Sequence, residues 1–429
     1  MWFKFTMKAN TNIWYISLKV VNKMENLLET SLEIATKKTN DYFFINDHRL
    51  KQTAFTRERS LSFQKVIFMK LDTIKQSNNT AIYNILKDVY DQQPVARQTF
   101  EEARNNISHT AFKEIFNDTV NNMLSVPDMN LFKGYRVIAI DGSTNALPKS
   151  KELKEVFGKS TPVEGEIYCR ISICADVLNE FIIEGEIAGF DVGERKLAQK
   201  HIEKINCENP LFLGDRGYWS PEIIRNICGN GKKFLFRIAS NGVSAVTKSE
   251  ESDGVFEYKG DILRFHKFKL KNGEIEYLVT NLDNNEITNS ELEELYALRW
   301  GVETRYNELK NQVGLMRFSG KSELVVLQDF YASLTVMNYI ASAIYDANKL
   351  VFDKRKDKSL KHKYKANKTS AINILKIRYL KAALESDPQK KNRLFKQLAE
   401  DIARTVVPIR PGRHFQRRIY TGKKRISNR

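Results

Sequence analysis

Four polar side chains recur at a spacing that groups them on one face of a helix. They are Tyr296, Arg299, Glu303 and Lys310, and at about 100° of rotation per residue they fall within an arc of about 60°. We predict one continuous helix over residues 291–320, which carries these groups along roughly 21 Å. A carboxylate between two cations suits a phosphodiester with a metal ion bound to it.

Two aspartates follow predicted buried strands, each beside a glycine. Asp141 ends the run YRVIAIDGS, and Asp215 lies within PLFLGDRGYW. If the first and fourth strands are neighbours at the centre of a sheet, both side chains emerge at one edge, and the later helix adds Glu303. Carboxylates without nearby Cys or His fit Mg²⁺ or Mn²⁺ rather than zinc. Two such ions would suit an in-line phosphoryl displacement.

Each acid also has a plainer explanation. An Asp beside a Gly at a strand end is usually a turn former, and a lone helical Glu is usually a surface residue. The hypothesis therefore depends on the three acids occurring together with the cations. In that case Arg299 and Lys310 would bind non-reacting phosphates, Arg299 as a bidentate fork and Lys310 as a point charge. Tyr296 would donate to a phosphate or stack on a base.

The elements that must position these groups follow in order from Tyr135. The patterns predict three strands, then helix, strand, helix, strand, a β-rich insertion at about 240–285, and the helix with Glu303. This order predicts an α/β fold, a ribonuclease H-like mixed sheet, over residues 133–349. Lys271-Asn272-Gly273 predicts a hairpin within the insertion. The apolar run 324–347 contains Asp and Asn residues, which favours a buried helix over a membrane span.

The chain before this core is predicted to be helical over 25–132, after an extension of unclear structure at 1–24. Short helices with tight breaks suit a helix-turn-helix-like DNA-binding module. Arg97, Gln98 and Arg104 would then read DNA. A plain helical bundle with a solvated face explains the same pattern equally well.

Basic residues are concentrated at the end of the chain. The net charge is +17, and residues 351–429 hold 24 Lys and Arg against 6 Asp and Glu, so the first 350 residues are close to neutral. A basic region, here 350–429, most often binds nucleic acid; a solubilising or membrane-surface tail is the alternative. We predict helices at 370–384 and about 394–405, and no regular structure from Val406 onward.

Cysteine usage and hydropathy favour an intracellular setting. The four cysteines form no C-x-x-C pair, which favours buried thiols over zinc ligands. No secretory signal is evident. We therefore expect a cytoplasmic, nucleoid-associated protein with no membrane partner.

Three segments resemble the catalytic motifs of the bacterial DDE transposases of insertion sequence family four. They are IDGST (140–144), FLGDRGY (212–218) and YALRWGVETRYNELK (296–310). The last contains the signature Tyr-x2-Arg-x3-Glu-x6-Lys. The resemblance implies a metal-dependent transposase with Asp141, Asp215 and Glu303 as catalytic and metal-binding residues.

The resemblance also implies what the reaction is. It would be cut-and-paste transposition with a DNA hairpin intermediate, acting on terminal inverted repeats and target DNA within a homodimeric synaptic complex. Hairpin chemistry would need an aromatic that stacks on a flipped base; Trp219 and Trp300 are the candidates, with Arg216 as a further DNA contact. Two alternatives stay open: a structure-specific nuclease without strand transfer, and a non-catalytic DNA-binding protein.

Overall fold

A mixed sheet of eight strands lies at the centre of the molecule. The structure is a computed structural model, and it describes residues 26–72, 77–158, 163–270, 273–303 and 318–410. The strands are β1 (Arg136–Leu147), β2 (Ile167–Asp176), β3 (Phe181–Gly189), β4 (Pro210–Gly214), β5 (Lys233–Ile238), β6 (Asp253–Tyr258), β7 (Asp261–Lys269) and β8 (Ile275–Thr280). Their order across the sheet is β3-β2-β1-β4-β5-β8-β7-β6.

Strand β1 lies beside β4, as the sequence predicted. β1, β2 and β3 pair antiparallel, whereas β1–β4 and β4–β5 pair parallel. The first five residues of β1 are all buried, because a central strand is covered on both faces, and this explains why its sequence is a continuous apolar run. The predicted mixed α/β fold is confirmed, and the order of the first five strands is consistent with a ribonuclease H-like core.

The β-rich insertion extends the central sheet. β8 pairs antiparallel with β5, and β7 and β6 continue the sheet outward. The predicted hairpin corresponds to the β7–β8 pair, with Gly273 at φ 89°, a conformation that glycine adopts without strain. Lys271 and Asn272 lie outside the described residues.

The described helices cover the sheet and form a bundle beside it. They are α1 (Leu27–Asn40), α2 (Tyr42–His48), α3 (Phe63–Leu71), α4 (Asn78–Tyr83), α5 (Arg97–Arg104), α6 (His109–Leu124), α7 (Lys151–Phe157), α8 (Glu194–Lys204), α9 (Pro221–Gly229), α10 (Ser244–Thr247), α11 (Asn289–Ala297), α12 (Glu323–Asp353), α13 (Lys368–Ala383) and α14 (Pro388–Arg404). A π-helical segment, Asn84–Val89, continues α4.

Helix α12 organises the bundle. Its Asn338 side chain accepts from Ile182 N and donates to Ile182 O of β3, at 2.8 and 2.9 Å. By length and composition α12 could cross a membrane, but 89% of its apolar window is buried inside the protein. It is therefore a core helix, as its Asp and Asn residues predicted.

Helices from both ends of the chain pack on α12. α1 and α6 contact it from the predicted region 25–132, and α13 and α14 from the predicted region 350–429. Asp346 of α12 accepts from Leu27 N and Leu28 N at the start of α1, at 2.9 and 3.0 Å. The predicted extension 1–24 lies outside the described residues.

The DNA-reading role predicted for Arg104 is wrong. Its side chain is fully buried, and it donates to Gln328 Oε1 at 2.6 Å and to Asp329 Oδ1 at 2.5 Å. Arg97 and Gln98 are exposed and pair with acids on their own helix. Helical periodicity could not separate these cases, because the acid that Arg104 binds lies more than 200 residues away in sequence.

The prediction of no regular structure from Val406 is wrong for its first residues. β10 (Val406–Pro408) pairs antiparallel with β9 (Tyr364–Ala366). Residues 411–429 lie outside the described residues. The predicted helices at the end of the chain correspond to α13 and α14.

Candidate active site

The register of β1 and β4 brings Asp141 and Asp215 to one edge of the sheet. The last paired residues are Ala139 and Leu213, and each aspartate stands two residues further along its chain. β1 continues to Leu147 alongside β2, so Asp141 lies within the strand and not at its end as predicted. It lies at the point where β1 loses β4 and its burial becomes partial.

The turn after β4 orients Asp215. Gly217 N donates to Asp215 Oδ1 at 2.8 Å, and Tyr218 N donates to Asp215 O at 3.1 Å. Tyr218 is buried and anchors the turn, whereas Arg216 and Gly217 are exposed. From α8, Arg195 Nε donates to Gly217 O at 2.7 Å. The orientation of the Asp215 carboxylate therefore depends on the position of Gly217.

The helix predicted over 291–320 is not continuous. A capping box of Thr288 and Glu291 starts α11, which ends at Ala297. Leu298 and Arg299 then form a turn with i→i+3 hydrogen bonds, such as Arg299 N to Tyr296 O at 3.0 Å. The chain is helical again at 300–303. Such tight turns have three residues per turn, so the angles of an ideal α-helix do not apply here.

The structure nevertheless brings three of the four helix residues together. Arg299 Nη2 donates to Glu303 Oε1 at 2.8 Å, and only 7% of Arg299 is exposed. Burial opposes the charge of Arg299, but Glu303, Tyr296 and Asp141 raise its pKa above the usual range. Arg299 is thus a buried cation among acids. Lys310 lies outside the described residues.

The pKa of Asp141 depends on the charges of Arg299, Glu303 and Asp215. Burial raises the pKa of Asp141 to about 6, and the negative charges of Glu303 and Asp215 act in the same direction. A backbone hydrogen bond at Gly142 and the Arg299 charge lower it. Asp215 and Glu303 therefore both oppose a negative charge on the partly buried Asp141, and a bound cation would relieve this repulsion.

Tyr296 is buried close to Arg299 and Asp215. Burial raises the pKa of its hydroxyl well above the ordinary value, and the charges that act on it are those of Arg299, Glu276, Arg237 and Asp215. Arg237 and Glu276 form an ion pair at 3.0 Å. The sequence interpretation missed both, although Arg237 follows Phe236, which pairs with Gly214 just before Asp215.

The two candidate tryptophans differ in exposure. Trp219 packs against Tyr258 and Phe234, with ring centroids at 5.0 and 6.5 Å. Trp300 is 52% exposed, and the Arg299 guanidinium lies 5.0 Å from its ring centroid. Of the two, Trp300 is the more accessible to a ligand.

The donor chemistry suits a hard divalent cation. The acids offer only oxygen, which Mg²⁺ and Mn²⁺ prefer. Within the described ranges, no group of three or more His, Cys, Asp or Glu side chains is arranged to hold a metal ion. The Glu303 carboxylate instead accepts a hydrogen bond from Arg299.

Comparisons with known proteins find similarity to transposases. The family model described as Transposase DDE domain matches residues 132–339, which include all three acids. A curated relative is the transposase InsG for insertion sequence element IS4 of Escherichia coli (strain K12), 22% identical over 269 residues. That match covers 57% of this chain and 60% of the relative, so the chain spans less than two thirds of the relative's length.

A solved structure shares the fold. It is the piggyBac transposase synaptic complex with hairpin DNA, similar with a TM-score of 0.51 at 14% identity, over 89% of this chain and 86% of that one. The family match and the curated relative confirm the resemblance drawn from the three motifs. Residues 132–339 are therefore similar to the transposase DDE domain, and the chain is similar to a transposase of the insertion sequence four type.

Proposed function

We propose that this chain excises an insertion sequence from DNA and joins it to a target by cut-and-paste transposition. The observation that carries the proposal is the register of β1 and β4, with Asp141 and Asp215 each two residues beyond the last pair. Glu303 is close enough for its charge to raise the pKa of Asp141. These three residues are proposed as the catalytic carboxylates.

Asp141, Asp215 and Glu303 would hold Mg²⁺ or Mn²⁺, two ions per site. When bound, such ions activate the attacking hydroxyl and neutralise the leaving oxygen. Arg299 Nη2 donates to Glu303 Oε1 at 2.8 Å. We propose that Glu303 would be one of the residues that hold the ion, and that Arg299 would bind a DNA phosphate together with Lys310. Because Tyr296 is buried, we propose that it packs beside Arg299 and makes little direct contact with DNA.

The proposed reaction proceeds through a hairpin. Water attacks one strand, forming a bond to phosphorus and releasing a 3′-hydroxyl. This hydroxyl attacks the opposite strand and closes a hairpin, which a second water reopens before the 3′-hydroxyl joins target DNA. Each step exchanges one phosphorus–oxygen bond for another, so no external energy source is needed. The exposed Trp300 is our first candidate for stacking on a flipped base, with Trp219 and Arg216 as lesser candidates.

The proposed partners follow from this reaction. The piggyBac transposase to which this chain is similar was solved as a synaptic complex with hairpin DNA. We propose that this chain likewise binds double-stranded terminal inverted repeats and target DNA as a homodimer. Its place would be the cytoplasm, at the nucleoid.

One assay tests the function. The full chain is incubated with Mg²⁺, a target plasmid and DNA that carries the inverted repeats flanking its gene. We expect hairpinned ends and integrated product. Nicks without joining would favour a nuclease instead, and binding without cleavage would favour a non-catalytic DNA-binding protein.

Variants of two glutamates make the assay specific to the site. Glu303→Gln is expected to abolish cleavage and to leave end binding in place, because it removes a charge from the proposed metal site. The control is Glu294→Gln, an exposed residue of α11, which should cleave like the unmodified chain. Cleavage at a normal rate by Glu303→Gln would refute the metal role of this residue.

A further inference from the structure

The first turn of α8 contacts both the strand that carries Asp141 and the turn that carries Asp215. Glu194 and Arg195 are the first two residues of this helix. Arg195 reaches the turn that follows β4, and Glu194 lies against Gly142, beside Asp141. We propose that this turn is a positioning element that fixes the separation and orientation of Asp141 and Asp215 for metal binding, with Arg195 as its principal residue. The inference rests on the proposed function.

The Arg195 contact continues to the Asp215 carboxylate. Arg195 Nε donates to Gly217 O at 2.7 Å, and Gly217 N donates to Asp215 Oδ1 at 2.8 Å. The Gly217 residue is thus bound from both sides. A shift of this residue would turn the Asp215 carboxylate, because one of its two oxygens is held by the Gly217 N–H.

The Glu194 contact supports strand β1 beside Asp141. Arg170 of β2 donates from Nη1 to Glu194 Oε1 at 2.6 Å and from Nη2 to Phe190 O at 3.2 Å. The side chain held in this way packs directly on Gly142, where an added Cβ would stand 2.9 Å from Glu194 Cδ. α8 is therefore fixed against β1 at the residue next to Asp141.

The energy of the Arg195 contact favours a role in positioning Asp215 over a role in the stability of the fold. The Arg195 side chain is exposed, and exposed polar contacts contribute little to folding. Outer-shell partners of metal ligands, in contrast, change metal affinity by roughly 10- to 100-fold. Loss of the Arg195 contact should therefore leave the fold intact and weaken metal binding.

The charge of Arg195 allows a positioning role to be distinguished from a simple electrostatic effect on metal binding. Removing a cation near an acidic site should, on charge alone, strengthen the binding of a divalent cation. If Arg195 positions Asp215, its removal should instead weaken the binding of the cation. Lys196 is the matched control, because it is the next residue of α8, is exposed, and carries the same charge.

The experiment measures Mn²⁺ binding to the full chain without DNA, from the electron paramagnetic resonance signal of free Mn²⁺. Arg195→Gln is expected to weaken binding by roughly 10- to 100-fold, and Arg195→Lys, which keeps a donor for Gly217 O, to restore most of it. Lys196→Gln should leave binding unchanged or slightly tighter. Thermal unfolding midpoints of all three variants should equal that of the unmodified chain.

Each contrary result has a distinct meaning. Equal Mn²⁺ affinity of Arg195→Gln and Lys196→Gln would overturn the inference, as would a lower unfolding midpoint for Arg195→Gln alone, which would indicate a purely structural role. Weaker DNA binding with unchanged Mn²⁺ affinity would make Arg195 a phosphate contact instead. Asp215→Asn serves as the reference, because it removes a proposed metal ligand. If the unmodified chain and Asp215→Asn bind Mn²⁺ equally, or if neither binds it, the proposed metal site itself is refuted.

Discussion

Gly142 shows how one residue without a side chain serves the site. Glu194, held by Arg170, occupies the space where a Cβ would be, with Cδ 2.9 Å away. Gly142→Ala must therefore shift the Glu194 side chain, and we expect the shift to weaken its ion pair with Arg170. We expect it to lower the free energy of unfolding by about 1 kcal/mol, the range of a partly exposed ion pair, and to weaken Mn²⁺ binding.

A double-mutant cycle isolates that contact. In a Glu194→Ala background the added methyl group meets no carboxylate, so Gly142→Ala should cost little there, as measured by urea unfolding. An equal cost in both backgrounds would mean that Glu194 is not what requires glycine at position 142.

Residues of the site differ in how far the sequence predicted them. Asp141, Asp215 and Glu303 were singled out because strand ends and helix spacing are visible in local pattern. Arg195 and Arg237 were missed because their partners, Gly217 and Glu276, are distant in sequence and joined to them only by the fold. No periodicity identifies an arginine that acts through another residue's backbone.

At the scale of elements, a buried ionic network joins α3, α5 and α12. Asp329 binds Lys70 at 2.6 Å and Arg104 at 2.5 Å, and it also accepts from Ser319 N at 2.7 Å. All three charged side chains are buried. Asp329→Asn removes the buried anion that both cations share, and Arg104 keeps the longer contact with Glu101 at 3.6 Å. We therefore expect a loss of roughly 3–5 kcal/mol in urea unfolding.

The exposed end of α12 provides the control for this variant. Asp353→Asn lies on the same helix, where the side chain is exposed, and it should stay within about 0.5 kcal/mol of the unmodified chain. A similarly small change for Asp329→Asn would show that the network contributes little to stability.

A second buried acid makes the docking of α1 on α12 pH-dependent. Burial raises the pKa of Asp346 from its ordinary value of 3.8 to about 7, against the hydrogen bonds from Leu28 and Leu27 that lower it. The folded pKa exceeds the unfolded one, so protonation favours folding. The contribution of Asp346 to stability is therefore greatest below about pH 3.8 and falls as the pH rises to about 7.

Asp346→Asn, which has no charge to lose, tests this sign. Urea unfolding between pH 4 and pH 7 should show a smaller decline of stability with pH in the variant than in the unmodified chain, whatever the offset between them. Parallel curves would mean that Asp346 is ionised in the folded protein throughout this range.

At the scale of the whole molecule, the first and last described regions of the chain meet on one helix. The sequence showed where helices occur but not that 25–132 and 350–429 pack on α12. The contacts between 25–132 and α12 join residues more than 200 positions apart, and helical periodicity does not specify which helices pack together. Tyr379 of α13 donates to Leu71 O at 2.6 Å, which ties the two regions directly. The basic region is thus structural as far as residue 410, and a truncation at Leu350 would remove part of the core.

A shorter truncation separates DNA binding from folding. Residues 411–429 contain seven Lys and Arg and no Asp or Glu, and they follow β10, so a chain that ends at Arg410 retains every described element. We expect it to unfold at the same temperature as the full chain. If the seven cations contact phosphates, the slope of log affinity against log salt should fall by up to roughly 6, at about 0.9 per contact. A chain with the seven cations replaced by Gln matches the length and should behave like the truncation; an unchanged slope in both would show that these residues do not bind phosphate.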